Sequence, residues 1–439
     1  MCPGSPVLPA RFLLSSKQIN SQYHRFLSEE PSLPSNRSTP YALRAQQSQE
    51  LLAYQPGLRK DADTELIQQI AEDDQVESIT EEQIAHLIEP VDMKNVEALA
   101  DEHQWGVVKI QAPEAWQELG TLSGEGVIIA TVDTGVRGTH EALKDNFVGE
   151  YGWFDPSTST PEPTDNNGQE PIPLETIAGG KGIGVAPGAK WAACRGCASS
   201  ACWQSDLLAC GDFFACPTRA DGSSPDCSKA PNVVSNSWGG GRGNTWYNEV
   251  IEGWHAAKII PLFSNGNSGP SCNTANSPAD QNVIAVGSTT IDDAISSFSS
   301  VGPTTDGRMK PEVSAPGSNV ISAYHTSDTA YVSLSGTSMA CPHAAGAIAL
   351  LQVRTRTFLT SRQRNFFSDK PIKIWCPAEG LAKESLIMSS PTTCLELDVS
   401  TPSRVSELKP LPCKFKSELL KSIFNCTVSF LYKLLYKWL

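Results

Sequence analysis

The sequence has no long apolar run and no excess of positive charge. Its 439 residues contain no stretch of about 18 consecutive apolar residues, so the sequence predicts no membrane-spanning helix. The net charge of −14 argues against nucleic acid or a membrane as a main partner. The opening residues, MCPGSPVLPARFLLSS, also lack the apolar core of a secretory signal. Residues 1–44 show no periodicity, and we leave them unassigned and expect disorder.

The charge is unevenly distributed along the chain. Residues 1–350 carry a net charge of −21, whereas from Leu351 onward 14 Lys or Arg stand against 7 Asp or Glu. Residues 352–439 are therefore predicted to be an atypical tail. Their final part, residues 415–439, could form an amphipathic helix on a membrane surface. The favoured interpretation is that the tail is mis-translated, from non-coding sequence.

Cysteine is abundant, but no histidine accompanies it. Six of the 13 cysteines fall within residues 194–227, a segment without His and without a paired CxxC knuckle. A metal site is therefore disfavoured, free thiols are an alternative, and disulfides are the favoured interpretation. Disulfides are typical of proteins outside the cytosol. We expect an extracellular, secreted protein, although no signal peptide is visible.

Four apolar segments in the middle of the chain are typical of buried strands. Continuous Val/Ile runs indicate strands that are covered on both faces. The segments span residues 126–135, 232–238, 258–267 and 282–289, and helix-length segments such as residues 245–257 lie between them. This alternation predicts an α/β fold: a mostly parallel central sheet with helices on both faces.

The acidic region before these strands has a different pattern. Residues 62–75 place Leu66, Ile67 and Ile70 at helical spacing, and residues 76–90, VESITEEQIAHLIEP, are typical of a strand with a turn. Residues 91–102 are predicted to be a linker.

Polar side chains lie near the carboxyl ends of the strands, where open α/β sheets hold their chemistry. Asp133 ends the first strand and could orient a histidine, bind a metal or cap a turn. Asn267, in FSNGNSGPS, offers an amide donor, although an Asn-Gly pair is usually a turn. Ser338, in SLSGTSMACPHAAG, precedes a small-residue helix whose N-terminus favours negative charge. A plain N-cap serine is the alternative.

Together these segments resemble the subtilisin-like serine proteases, the subtilase family, over residues 105–351. VDTGV resembles the family's aspartate motif, GTSMACPH its serine motif and SNGNSG its oxyanion segment. IGVAPGAKW and APGSNVISA are further similarities, and the first of these, with the Cys-rich insertion, is most like the bacillopeptidase F branch. VESITEEQIAHLI resembles the end of the family's inhibitory propeptide, so residues 45–97 are expected to be a partial small α+β propeptide.

The resemblance implies a role for each of these residues. Ser338 Oγ would attack the scissile carbonyl, and Asp133 would orient the general-base histidine. Asn267 and the Ser338 N–H would bind the oxyanion. Ser237, Trp238 and Gly239 would pair with an extended peptide. The implied partners are polypeptide substrates and the chain's own propeptide.

No cofactor is certain from the sequence, and no metal ligand is predicted. Structural calcium is usual in the family, so it is possible here by analogy. The acids Asp155, Asp165 and Asp280 are as consistent with solvated loop residues as with a calcium site.

The family's histidine motif, HGTHxxGT, is replaced in this chain. Its flanks DNNG and TIAGG are present, but residues 169–176 are QEPIPLET and Gln169 takes the place of the histidine. Gln does not take up a proton near neutral pH, and in subtilisin itself losing the triad base costs about 10⁶ in turnover. His140, close to Asp133, and His343, in the ordinary CPH of the serine motif, are not expected to substitute.

A reading-frame error accounts for this replacement. HGTHTIGT can be encoded by CAT GGA ACC CAT ACC ATT GGA ACC. Loss of the first T gives CAG GAA CCC ATA CCA TTG GAA, which encodes QEPIPLE, and one inserted A restores the frame at Thr176. The hypothesis is that residues 169–175 are a frame-shifted histidine motif.

The sequence therefore predicts a serine endopeptidase by family, with an Asp/His/Ser mechanism, that is inactive or crippled as written. One alternative is a catalytically dead pseudoprotease of the same fold that binds peptides. Another is a truncated gene product without a stable fold.

Overall fold

The computed structural model describes residues 12–16, 72, 76–97, 103–165, 174–364, 385–390, 393–397 and 410–411. Within these ranges the strands are β1 (Phe12–Ser16), β2 (Val76–Glu81), β3 (Ile84–Leu87), β4 (Asp92–Val96), β5 (Ile128–Asp133), β6 (Trp153–Phe154), β7 (Lys190–Arg195), β8 (Ala201–Trp203), β9 (Val233–Asn236), β10 (Trp238–Gly239), β11 (Ile260–Ser264), β12 (Ile284–Thr289), β13 (Val313–Pro316), β14 (Val320–Ala323), β15 (Tyr331–Ser335), β16 (Ser385–Ser390), β17 (Thr393–Leu397) and β18 (Pro410–Leu411). The helices are α1 (Trp105–Lys109), α2 (Ala112–Glu118), α3 (Leu174–Ala178), α4 (Gln204–Ala215), α5 (Asn248–Ala256) and α6 (Thr337–Arg364).

One seven-stranded parallel sheet forms the centre of the fold. Its strand order is β13-β12-β11-β9-β5-β7-β6, and every neighbouring pair is parallel. The four predicted strands contain β5, β9, β11 and β12, and the predicted helix over residues 245–257 contains α5. The prediction of an α/β fold with a mostly parallel sheet is therefore confirmed.

Two hydrophobic cores cover the two faces of this sheet. Along β5, Ile129 packs into the core that contains α6 residues such as Ile348. Its neighbours Ala130 and Val132 pack into the core that contains Phe214 of α4 and Trp254 of α5. The side chains alternate between the faces because successive residues of a strand point in opposite directions. Helices thus cover both faces of the sheet. Because both faces are buried, the strands are continuous apolar runs in the sequence.

The strand β4 is a difference from the predicted linker over residues 91–102. It pairs antiparallel with β15 along five positions, from Asp92↔Ser335 to Val96↔Tyr331. Its side chains are mostly exposed, so the strand is held by its backbone and leaves no apolar periodicity in the sequence. That is why the sequence pattern did not indicate it.

The acidic region before β4 follows the predicted strand and turn. β2 and β3 flank Glu82 and Gln83, as the pattern of residues 76–90 predicted. β2 also pairs antiparallel with β1, which lies in the region that the sequence left unassigned. The predicted helix over residues 62–75 lies outside the described residues, apart from position 72.

The tail contains elements of its own. α6 continues past Leu351 to Arg364, and β16, β17 and β18 form a small antiparallel sheet. The segment of residues 415–439 lies outside the described residues. In the described ranges, no helix combines the length and the apolar character that crossing a membrane requires.

Three disulfides confirm the favoured interpretation of the cysteine-rich segment. They join Cys194 to Cys210, Cys197 to Cys202 and Cys216 to Cys227. The first connects β7 to α4, and the second lies within the loop between them. Of the cysteines that remain free, Cys272 is exposed and Cys341 is buried.

Candidate active site

The carboxyl ends of β9 and β11 meet the N-terminus of α6. Ser237 Oγ, just after β9, lies 3.3 Å from Ser264 Oγ at the end of β11. Ser264 Oγ donates in turn to the backbone oxygen of Thr337, the first residue of α6, at 3.0 Å. This chain of hydroxyl groups links the start of α6 to the carboxyl ends of β9 and β11, and β9 is the neighbour of β5 in the sheet.

Ser338 lies in the first turn of α6 and is almost completely buried. Its Oγ donates a 2.6 Å hydrogen bond to the backbone oxygen of Ile88. α6 is 28 residues long, and the free N–H groups of its first turn favour negative charge nearby. This hydrogen bond places the Ser338 hydroxyl beside the Ile88 carbonyl group, at a helix N-terminus that favours developing negative charge.

Asn267 has a fixed amide orientation. Its Oδ1 accepts bonds from Thr337 N and Thr337 Oγ1, both at 2.9 Å. Its Nδ2 therefore points the other way and donates to the backbone oxygen of Glu89 at 2.8 Å. The preceding Gly266 has φ +106°, and a Cβ there would lie 2.8 Å from Ser300 Oγ. The loop needs glycine to aim the amide.

Asp133 ends β5 and is buried, 2% exposed. Its Oδ1 accepts a bond from Thr134 N at 2.8 Å. Burial raises the pKa of Asp133 from 3.8 to about 7, the Thr134 bond lowers it, and the charge of Asp165 raises it further. A carboxylate in such surroundings needs a cationic partner to stay ionised at neutral pH.

Gln169 lies within residues 166–173, outside the described residues, but both flanks of this segment are described. On the N-terminal side, Val136 N donates to the Thr164 oxygen at 3.1 Å, so Thr164 lies against the turn that follows Asp133. On the C-terminal side, α3 is buried and its residue Ile177 packs in the core beneath α6.

The histidines that were weighed as substitutes are engaged elsewhere. His140 Nε2 lies 3.0 Å from the Ala330 oxygen, and its Nδ1 accepts from Ala142 N. His343 Nδ1 lies 2.8 Å from the Met339 oxygen within α6, and burial lowers its pKa to about 4. In the described part of the chain, neither ring is hydrogen-bonded to Asp133 or Ser338.

Glu175 is a feature that the sequence did not single out. It lies in α3 and is 3% exposed, and its Oε2 accepts from Ser322 Oγ at 3.2 Å. Burial raises its pKa well above the ordinary value, and the charges of Asp165 and Asp133 raise it further. Among the described residues it forms no salt bridge. The surroundings of Glu175 therefore disfavour an ionised carboxyl group.

An extended segment of the chain itself lies across the site. β3 runs antiparallel between β8 and β10, as the middle strand of a three-stranded sheet. Leu87 N donates to the Ser200 oxygen at 3.0 Å on the β8 side, and Ile88 N donates to the Ser237 oxygen at 2.9 Å on the β10 side. In β10, Trp238 is paired with Leu87 and Gly239 with His86. We call residues 82–90 the cleft segment, and the space between β8 and β10 the cleft.

The cleft segment has both buried and exposed side chains. Ala85, Leu87 and Ile88 are buried, at 4%, 6% and 5% exposure, whereas His86 and Glu89 are exposed. The backbone of the segment thus pairs with both walls while three apolar side chains face the protein.

Glu82 anchors the start of the cleft segment. Its Oε1 accepts a 2.9 Å bond from Ser205 N, in the first turn of α4, where a carboxylate is favoured by the helix dipole. Gln83 N donates to Gln204 Oε1 at 2.9 Å, and Gln204 N donates to the Gln83 oxygen at 3.0 Å. Periodicity cannot reveal this anchor, because it depends on which helix the acid meets.

The three acids considered for calcium have other roles where their contacts are described. Asp155 accepts from the backbone or hydroxyl groups of Ser157, Thr158 and Thr160 and lies 3.5 Å from Arg195 Nη1. Asp280 accepts from Gly243 N and from Gln281 Nε2. In the described ranges no group of three or more His, Cys, Asp or Glu could hold a metal ion.

The fold, the helix-borne serine and the asparagine amide match a known class of protein. The family model of the subtilase family, Peptidase_S8, matches residues 124–375, which is more than half of the chain. The chain belongs to the subtilase family.

Three relatives show how the similarity is spread. Bacillopeptidase F of Bacillus subtilis is 34% identical over 327 residues, covering 67% of this chain and 22% of that protein. Thermitase of Thermoactinomyces vulgaris is 36% identical over 260 residues, covering 58% of this chain and 84% of thermitase. Subtilisin DY of Bacillus licheniformis is 32% identical over 252 residues, covering 56% and 83%. The chain thus spans less than a quarter of bacillopeptidase F, and the identity is consistent with the resemblance to that branch.

Proposed function

We propose that the protein is a secreted serine endopeptidase whose catalytic histidine is lost from the sequence as it reads. The observation that carries the proposal is the contact of Ser338 Oγ, at 2.6 Å, with a backbone carbonyl of an extended segment. That segment is hydrogen-bonded to both walls of the cleft, which is how a peptide substrate adds a strand to a sheet edge.

The described residues support all but one of the required roles. Ser338 Oγ attacks the scissile carbonyl. The negative charge that then develops on the carbonyl oxygen is stabilised by the Asn267 amide and the Ser338 N–H. Asp133 orients the histidine that removes the proton of Ser338. Asp133 also stabilises this histidine once it has taken up the proton and is positively charged. A charged histidine next to Asp133 also lowers the pKa of that carboxyl. The absence of this histidine is consistent with the raised pKa of Asp133 in this chain.

The cleft segment is proposed to be the chain's own inhibitory propeptide end. The Ile88 N–H donates to the Ser237 oxygen and the Ile88 oxygen accepts from Ser338 Oγ, and these two contacts support Ile88–Glu89 as the bond presented for cleavage. The Asn267 amide, however, contacts the Glu89 oxygen and must move to the Ile88 oxygen before it can stabilise an oxyanion there. The segment therefore binds as an inhibitor does.

Glu175 supports the frameshift hypothesis by an independent route. The restored motif HGTHTIGT places glycine at position 175. The chain instead has a buried carboxyl whose pKa is raised by burial and by the acids Asp165 and Asp133. A buried carboxyl without a cationic partner is costly to ionise and is rare in folded proteins. A residue that came from a shifted frame was never selected for this position.

Secretion is part of the proposal and rests on the three disulfides. Structural disulfides persist in oxidising compartments and are rare in the cytosol. Bacillopeptidase F and the subtilisin relative are proteases by name, and polypeptides are the substrates proposed here.

The test is to restore the motif and look for a reactive serine. The variant carries HGTHTIG at residues 169–175, and it is compared with Gln169→His alone, which keeps Glu175. We expect the restored chain to react with a fluorophosphonate probe and to cleave peptides. Adding Ser338→Ala to the restored chain should abolish both. A folded restored chain that neither reacts nor cleaves would contradict the proposed activity.

A peptide-binding pseudoprotease is the second candidate. The observation that favours it is that the cleft holds the segment through backbone bonds at Ser200 and Ser237, which do not need the histidine. Sequencing of genomic DNA and transcript separates the two candidates. An in-frame Gln codon in both, with peptide binding but no cleavage by the natural chain, would establish the pseudoprotease.

A further inference from the structure

The β8 wall of the cleft is enclosed by two nested disulfides. Cys194–Cys210 ties β7 to α4, and Cys197–Cys202 closes the loop between them with a sequence separation of 5. β8 itself has three residues. A strand this short gains little from its own ladder, so its position depends on what holds its ends.

The inner disulfide lies between the carboxyl end of β5 and the cleft segment. Cys197 N donates to the Asp133 oxygen at 3.2 Å, which fixes this end of the loop at the carboxyl end of β5. Cys202 stands opposite Ala85 in the β3–β8 register. Both sulfur-bearing residues are fully buried, at 0% exposure. The disulfide therefore links Cys197, which is hydrogen-bonded to the backbone of Asp133, to Cys202, which pairs with the bound segment.

The disulfide also encloses the acceptor that the bound segment uses. Ser200 lies inside the loop and accepts the Leu87 N–H at 3.0 Å. Within the loop, Ala201 N donates to Ser199 Oγ at 3.2 Å, a contact between near neighbours that fixes the turn but not its distance from β10. The opposite wall is held differently, because Gly240 N donates to the Ser277 oxygen at 2.8 Å.

We infer that the Cys197–Cys202 disulfide is a positioning device for peptide binding: it holds the Ser200 carbonyl and β8 at the spacing from β10 that an extended peptide needs. Opening the disulfide frees the loop, and the bound strand loses its partners on one wall while those on the other wall remain. The inference rests on the proposed function, since it takes the cleft as the peptide-binding site. Its readout is binding of the cleft segment and not cleavage.

The first test removes the bond in the full chain. Cys197→Ala with Cys202→Ala is compared with Cys216→Ala and Cys227→Ala, which opens the disulfide beyond the C-terminal end of α4. Hydrogen–deuterium exchange is followed at Leu87 and Ile88, with the buried strand β5 as internal reference. We expect the Leu87 amide to exchange about tenfold faster, the loss of roughly one hydrogen bond, with β5 unchanged. The control pair should leave Leu87 unaffected.

Unchanged exchange at Leu87 in the first variant would overturn the inference. So would an equal acceleration in the control variant, because the effect would then belong to disulfides in general. Failure of the restored protease to cleave would contradict the proposed function but leave these exchange rates as they are. The two ideas can thus fail separately.

A second test needs no cysteine substitution and decides the matter if the first variant unfolds. If the disulfide strengthens binding of the segment, then the bound segment must stabilise the disulfide by the same factor. The wild-type chain and the variant Leu87→Asp, whose charge displaces the segment, are equilibrated in buffers of reduced and oxidised glutathione. Each reduced disulfide gives two protein thiols and takes its hydrogens and electrons from two glutathione molecules, which become one glutathione disulfide. Alkylation and mass spectrometry follow each disulfide.

We expect the equilibrium constant for reduction of Cys197–Cys202 to be about tenfold larger in Leu87→Asp, by the hydrogen-bond magnitude used above, and that of Cys216–Cys227 to be unchanged. His86→Asp is the matched control, since His86 is exposed on the same strand and a charge there should not displace it. Equal equilibrium constants for Cys197–Cys202 in wild type and Leu87→Asp would contradict the inference.

Discussion

Replacing Asp133 by Asn should stabilise the chain as it reads. The carboxyl is buried, and its pKa is raised from 3.8 to about 7, mainly by burial. An acid with a raised pKa binds its proton more tightly in the folded chain than in the unfolded chain. Folding is therefore favoured below pH 3.8, and this advantage is lost as the pH rises from 3.8 towards 7. Asn has the same shape and cannot ionise.

The size of the effect follows from the two pKa values. The change from 3.8 to about 7 corresponds to about 4 kcal/mol at pH 8, and the amide oxygen of Asn can still accept the Thr134 N–H. We expect Asp133→Asn to match wild type near pH 4 and to exceed it by up to about 4 kcal/mol in free energy of unfolding at pH 8. Most of the difference should develop between pH 4 and pH 7.

The assay is denaturant unfolding of both chains at pH values from 4 to 8, in buffers of equal ionic strength. Asp221→Asn is the control, since Asp221 is a fully exposed loop acid whose pKa is lowered by Ser223; its titration lies below this pH range. A constant difference between wild type and Asp133→Asn across the range would refute the reasoning. In the chain with the restored motif the substitution should instead abolish most activity, as the histidine loses its orienting partner.

Three further predictions concern Asn267, Gly266 and Glu175. In the restored chain, Asn267→Leu should lower kcat by about 10² to 10³, the loss known for subtilisin itself, with little change in KM; an unchanged kcat from peptide-cleavage kinetics would remove Asn267 from the mechanism. Gly266→Ala should cost about 1–3 kcal/mol in denaturant unfolding, because its Cβ would meet Ser300 Oγ at 2.8 Å, and Gly222→Ala, at φ +78° with nothing within 4 Å, measures the backbone strain alone. Glu175→Gln should gain stability over wild type as the pH rises from 4 to 8, because burial raises the pKa of this acid; unfolding curves whose separation does not grow with pH would contradict this.

The sheet was predictable because its strands are buried on both faces. β5, β9, β11 and β12 each lie within a continuous apolar run, and Asp133 and Asn267 end or follow such runs. The register between strands and the two cores then follow from close packing. Asp133, Asn267 and Ser338 could be named in advance for the same reason: the ends of such strands and the start of a small-residue helix have recognisable neighbours.

The elements held by backbone contacts were less predictable. β4 is exposed and has no apolar face, so only its pairing with β15 defines it. Glu82 accepts a bond from Ser205 N, and Glu175 accepts one from Ser322 Oγ. Each of these partners lies more than 100 residues away in sequence. No local pattern records such distances. Residues 76–88 resemble the end of a propeptide, but this resemblance alone does not predict the contact of Ile88 with Ser338, which required the structure.

The pairing of β4 with β15 has a consequence for any cut between Ile88 and Glu89. Upstream of that bond the chain is held by the short strand β3, whereas downstream Val91 N donates to the Ser335 oxygen at 2.8 Å and five paired positions follow. The new amino terminus would stay beside Ser338, ready to attack the acyl group and rebuild the bond. Hydrolysis becomes permanent when the upstream piece diffuses away. The rate of maturation would then be limited by dissociation of the upstream product and not by the cleavage reaction.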